Sequence, residues 1–130
     1  MTTMKKFFAT ALAFVFMMFS AQVDAISCED STFAFDTINN KLREWHCTPL
    51  KIWYAGDESN NAENIAYMNE LAEGCGFDKK FNACMIFYSD FHSPPDDGQI
   101  SAWNHDSDYK NYSWYFGRCD GTWHLMTWGY

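Results

Sequence analysis

The chain lacks a second long hydrophobic run, a C-x-x-C pair and any cluster of basic residues, and it has only three prolines. Beyond the N-terminal region no segment approaches the roughly 18 uninterrupted apolar residues of a membrane-spanning helix. Without C-x-x-C spacing there is no sequence signal for a thioredoxin-like redox site or a zinc knuckle. Scarce Lys and Arg argue against nucleic acid as a partner, because that binding depends on clustered cations neutralising phosphates. No internal repeat or low-complexity linker divides the chain.

What is present begins with an address. Lys5 and Lys6 precede Phe7 to Phe19, an uncharged run of 13 residues, and Val23-Asp24-Ala25 closes the segment with a small-residue exit. Residues 1–25 therefore read as a secretory signal peptide, too short in its apolar part to span a bilayer comfortably. Cleavage is expected after Ala25, leaving a single domain over 26–130 and no integral membrane segment. The mature 105 residues are about the size of one small domain. Without Lys5, Lys6 and Asp24, 7 Lys/Arg face 16 Asp/Glu, a formal charge of −9. A periplasmic or secreted location follows, together with a surface that serves solubility and favours a cationic partner.

All five cysteines, Cys28, Cys47, Cys75, Cys84 and Cys119, lie in the mature region. In an exported chain they are disulfide candidates, and two bridges with one leftover thiol are expected. Five cysteines allow 15 such arrangements, so the pairing stays open. Ala25-Ile26-Ser27-Cys28 resembles a lipid-attachment box only loosely, since Asp24 interrupts the apolar approach.

Ser31 can cap a helix whose residues Phe35, Ile38, Leu42 and Trp45 recur at helical spacing and which must stop before Pro49. Leu50, Ile52 and Tyr54 alternate against Lys51 and Trp53 in a short strand. Ala62 to Glu73 predicts a second helix with Ile65, Met68, Leu71 and Ala72 on one side, ended by Gly74 or Gly76. From Phe81 the texture turns aromatic and β-branched, predicting three antiparallel strands. These are Ala83 to Phe91, then a strand with Tyr112, Trp114 and Phe116 on one face, then one carrying Trp123, Leu125 and Thr127. Asp120-Gly121 is the sharpest hairpin signal, and Ser93 to Gly98 a turn that no helix could cross. The expected fold class is α+β, with N-terminal helices covering one face of a curved antiparallel meander.

Phe91-His92-Ser93-Pro94, Ala102-Trp103-Asn104, Trp114-Tyr115-Phe116, Gly121-Thr122-Trp123-His124-Leu125 and Trp128-Gly129-Tyr130 together resemble the ending of small exported NTF2-like domains, over roughly residues 81–130. A cystatin-like helix on a meander fits nearly as well. The NTF2-like resemblance implies a cone with helices inside a bent sheet. Such folds hold small apolar ligands, dimerise, bind partners or isomerise steroids, so the fold alone names no activity.

Asp90, His92, His105, Tyr115 and His124 are the acid–base candidates that an enzyme of this class would place in its pocket, yet they form no persuasive constellation in the sequence. No catalytic residue and no cofactor is assigned. Asn104 to Asp108 opens with the alternate oxygen spacing of a calcium loop, but Tyr109 stands where glycine is required and Tyr115 where glutamate is, so no metal ligand set is assigned. Six tryptophans exceed what the core needs, and four fall within the last 28 positions. Trp103, in a polar stretch, is the one expected to be most exposed, followed by Trp128 and Tyr130, because exposed aromatics offer large contact area at little entropic cost. These three are the binding candidates. The expected role is a non-catalytic binding or protein-interaction domain whose partner is a protein or a small apolar ligand, with a homodimer possible; a small periplasmic enzyme using pocket Asp and His residues is the alternative.

Overall fold

The computed structural model describes residues 24–78, 80–98 and 103–130. The expected signal peptide lies outside them up to residue 23.

Helix α1, Cys28–Glu44, starts one turn earlier than Ser31 predicts. Ser27 is the cap: its hydroxyl accepts from the Asp30 N–H at 3.1 Å, and the Asp30 carboxylate accepts from the Ser27 N–H at 2.8 Å. This reciprocal box satisfies two otherwise orphaned donors, which a cap at Ser31 would leave unmet. Ala34, Ile38 and Leu42 form the buried stripe, four residues apart. Phe35 sits about 100° round the helix from Ala34 and is exposed, contrary to its expected place in the stripe. At the other end His46 takes the left-handed conformation (φ 61°), the N–H of Cys47 reaches the Leu42 carbonyl at 2.9 Å and that of His46 reaches Arg43. This Schellman closure turns the chain before Pro49.

Strand β1, Thr48–Tyr54, is followed by a single 3₁₀ turn at Asp57–Ser59 and by α2, Ala62–Gly74, which Asn61 caps by accepting from the Asn64 N–H at 2.9 Å. Gly76 (φ 75°) closes α2 through the same motif that His46 provides for α1, with the Phe77 N–H on the Ala72 carbonyl. Then come β2, Ala83–His92, β3, Asp108–Cys119, and β4, Thr122–Gly129. The four strands pair antiparallel in the order β1-β2-β3-β4. As expected, Asp120 and Gly121 form the two-residue β3–β4 turn, both with positive φ, as a type I′ turn requires.

The helices do not share a face of the sheet. Ala83, Met85 and Phe87 of β2 point towards α1, where they join Ile38, Leu42, Trp114 and Phe116 in one core. Cys84 and Ile86 point towards α2, in a second core with Met68, Ala72, Phe81 and Cys119. The period-two alternation of a strand makes this division unavoidable once β2 is buried along both sides. The helices-on-one-face expectation is thus corrected to one helix per face, within the α+β class.

Bulges adjust the alternation. One falls between Pro49 and Lys51, leaving Leu50 exposed, and one falls where Lys110 and Asn111 oppose Asp90. A third, at Met126, puts Thr127 opposite Tyr115 on the α2 side and Trp128 opposite Trp114 on the α1 side, so Thr127 does not follow Trp123 and Leu125 as predicted.

No disulfide is formed. All five cysteines are free: Cys47 is buried on the α1 side, Cys84 and Cys119 are buried on the α2 side, and Cys28 and Cys75 are exposed on different helix ends. The sheet separates Cys47 from the other buried pair. Cys84 pairs with Gly117, so Cys119 lies diagonally across the ladder from it. The Cα atoms of diagonal neighbours sit about 7–8 Å apart, beyond the roughly 4.4–6.8 Å that a bridge spans.

Candidate functional site

The expected exposure order of the three binding candidates is not what the fold produces. Trp103 is half-buried, packed edge-on against Phe91 and Tyr109 at ring distances of 5.2 and 5.1 Å and beside Trp45 and Tyr112. It extends the α1-side core. Trp128 is 41% exposed, tilted against Trp45 and Trp114 with the Lys41 ammonium 5.4 Å from its ring centre. Tyr130 is 81% exposed and meets Tyr112 edge-on. Trp128 and Tyr130 line a cleft of about 230 Å³ with Tyr67, Ser113, Tyr115 and Thr127, a mostly hydroxyl-bearing wall that does not include Trp103.

A larger depression lies between α1 and β1. Ser31, Thr32 and Phe35 form its helical wall, Ile52, Trp53 and Tyr54 its strand wall, and Phe87 its floor, enclosing about 420 Å³ that opens broadly to the surface. The helix capping box sets where Phe35 falls, and the strand alternation turns Ile52 and Tyr54 towards α1. Tyr54 packs on Phe87 at 5.3 Å and donates its hydroxyl to Asp57 at 3.2 Å. Burial, reinforced by the Asp57 carboxylate, pushes the Tyr54 phenol up to about 12, so it stays neutral at the groove's end. The sequence signal for this groove was Phe35, an aromatic that the buried stripe of Ala34, Ile38 and Leu42 leaves exposed.

The acid–base candidates do not converge. His92 is held between two exposed carboxylates, its Nδ1 2.7 Å from Asp108 and its Nε2 3.3 Å from Asp106. Hydrogen bonds to Asp108 and then Asp106 raise its pKa, and the same contact holds Asp108 below the usual carboxylate range. His105 faces Asp96 at 3.8 Å, while Asp90 accepts from the Asn111 N–H and pairs with Lys110. At the opposite end of the sheet the His124 ring packs edge-on against Phe77, its Nε2 3.7 Å from the Cys119 sulfur. Tyr115 meets Tyr67 on the α2 side. Among the described residues no group of three His, Cys, Asp or Glu side chains is arranged to hold a metal ion, and no helix is long and apolar enough to cross a membrane.

Comparison with protein-family models, with characterised proteins and with solved structures finds no match to this chain. The reading of function therefore rests on the residues themselves.

Proposed function

We propose that the protein is an exported binding domain, periplasmic or secreted, that engages a protein partner without catalysis through the groove between α1 and β1. The observation that carries this reading is Phe35, 44% exposed on the rim of an apolar groove whose floor is the buried Phe87. Closed cavities suit small ligands, because they bury most of the ligand surface. A groove this open suits one or two apolar side chains of a larger partner, the aromatic-anchor arrangement of interface hot spots. The formal charge of −9 selects the flanks: a partner segment with Lys or Arg beside its apolar anchors is drawn in, whereas a second copy of this acidic chain is repelled. Within this proposal the resemblance to exported NTF2-like or cystatin-like domains rests on the β2-β3-β4 meander and brings no ligand or activity with it.

The test is selection of displayed random peptides on the mature domain. Peptides that combine a large apolar residue with net positive charge, and that bind a Phe35→Glu variant at least tenfold more weakly, are expected. Selected peptides without that bias, or with equal affinity for the variant, would overturn the reading.

A further inference from the structure

Asp24 precedes α1 and lies just before the expected cleavage point, yet it is bound by the domain at three atoms. Its N–H donates to the Asn82 carbonyl at 3.3 Å, its carbonyl accepts from the Asn60 side-chain amide, and its carboxylate meets the Arg118 guanidinium at 2.8 Å. One residue is thereby read through its donor, its acceptor and its charge.

The groups that read it are themselves held. Arg118 is only 18% exposed; its other terminal nitrogen lies 3.6 Å from Asp30, and its guanidinium rests 5.3 Å from the Trp123 ring centre. The Trp123 indole in turn donates to Asp30 at 2.8 Å. Asn60 is fixed by accepting the Cys84 N–H at 2.9 Å. Asn82 is anchored by its N–H on the Arg118 carbonyl. A planar guanidinium pinned in this way matches a carboxylate with little further ordering cost.

We infer that this is a binding site for an acidic residue in an extended peptide, filled in the precursor by Asp24 and opened when cleavage after Ala25 removes it. The inference rests on the reading of residues 1–25 as a cleaved leader. The site lies at the α1 N-terminus and the β2–β3 end of the sheet, and none of its residues lines the groove. Cleavage also leaves a new α-ammonium at Ile26, adding positive charge close to a site that has just lost a carboxylate. Two sources present the required chemistry, the released leader ending in Val-Asp-Ala and an internal acidic residue of another protein.

The decisive titration adds acetyl-Ala-Gln-Val-Asp-Ala to the chain beginning at Ile26 at moderate salt, with binding followed by isothermal calorimetry. Saturable binding is expected, at least tenfold weaker for the Asp→Asn peptide and for a chain beginning at Ala21, whose own Asp24 fills the site. A chain from Ala21 carrying Asp24→Ala should regain binding, which keeps the test open if removing the lead disturbs folding. Tighter binding of the free-acid peptide than of its C-terminal amide assigns the site to the leader remnant; equal binding assigns it to an internal acidic residue. No binding to either opened chain, or equal binding of the Asp and Asn peptides, overturns the inference. The mass of the exported protein is the separate check on cleavage: a mature chain that retains Asp24 contradicts the leader reading but leaves the titration of the opened chains interpretable.

Discussion

The two faces of the sheet are packed with different materials. On the α1 side Trp114, Phe116, Phe91 and Phe87 are joined by Trp45, Trp103 and Tyr112 in a continuous aromatic layer. On the α2 side the most deeply buried groups are sulfur-bearing or small, Met68, Cys84 and Ala72, and the rings are the buried Phe81 with the partly buried Phe77, Tyr88 and Tyr115. The open groove lies at the margin of this first layer, lined by its members Phe87, Ile52 and Tyr54. At the β4 edge of the α2 side lies a second cleft, more enclosed than the groove and walled mainly by hydroxyl-bearing side chains, Tyr67, Ser113, Tyr115 and Thr127 among them. On the proposed function, recognition through an apolar anchor falls to the first face.

Removing a member of each layer should separate them. Trp114→Ala deletes a fully buried ring and strands Ser89, whose hydroxyl accepts the indole N–H at 2.8 Å. A loss of about 3–5 kcal/mol is expected in denaturant unfolding, towards the top of the range for core truncations, with Met68→Ala costing less. Equal losses would show that the layers contribute alike. Next in size is Gly117→Ala. A methyl there would stand 2.8 Å from the Phe81 ring, which is stacked on Phe77 at 5.6 Å. About 1–3 kcal/mol of destabilisation is expected, substantially relieved when Phe81→Leu is added; full additivity would place the strain elsewhere.

The thiols sharpen the contrast without altering stability. Burial pushes Cys47 up to about 11 and Cys84 up to about 12, so neither supplies thiolate at neutral pH. Brief alkylation of the native protein should label Cys28 and Cys75 and spare Cys47, Cys84 and Cys119, with all five labelled in denaturant. Native labelling of Cys84 would show the α2 core to be open. The smallest effect lies outside both cores. His92 has a raised pKa in the folded chain, so its contacts with Asp108 and Asp106 support the fold fully below the ordinary imidazole value and are lost as pH rises through the raised one. An NMR titration of His92 should show its midpoint fall in Asp108→Asn; an unmoved midpoint would contradict the pairing.

Much of this layout was legible in the residues. The period of Ile65, Met68 and Ala72 located α2, and Asp-Gly located the last hairpin, because both signals are local. The side of the sheet each helix would take was not, since helical periodicity identifies an apolar face without naming its partner. One clue was there: Ala83 to Phe87 is an unbroken apolar run, the pattern of a strand buried on both faces rather than one. Ser31 was a plausible cap, outcompeted by Ser27 because only Ser27 has Asp30 three residues on. Trp103 read as exposed from its polar neighbours, but β2 and β3 bring Phe91, Tyr109 and Tyr112 against it from distant positions. The cysteines read as bridges from their compartment, whereas strand parity decides which sulfurs can meet.

The assignment of recognition to the α1 face can be tested with matched exposed aromatics, Phe35 on the groove and Tyr67 on α2, which is 43% exposed. Affinity of one selected apolar, basic peptide is measured for Phe35→Glu and Tyr67→Glu. The account predicts a loss of tenfold or more for the first and an unchanged affinity for the second; the reverse pattern would contradict it.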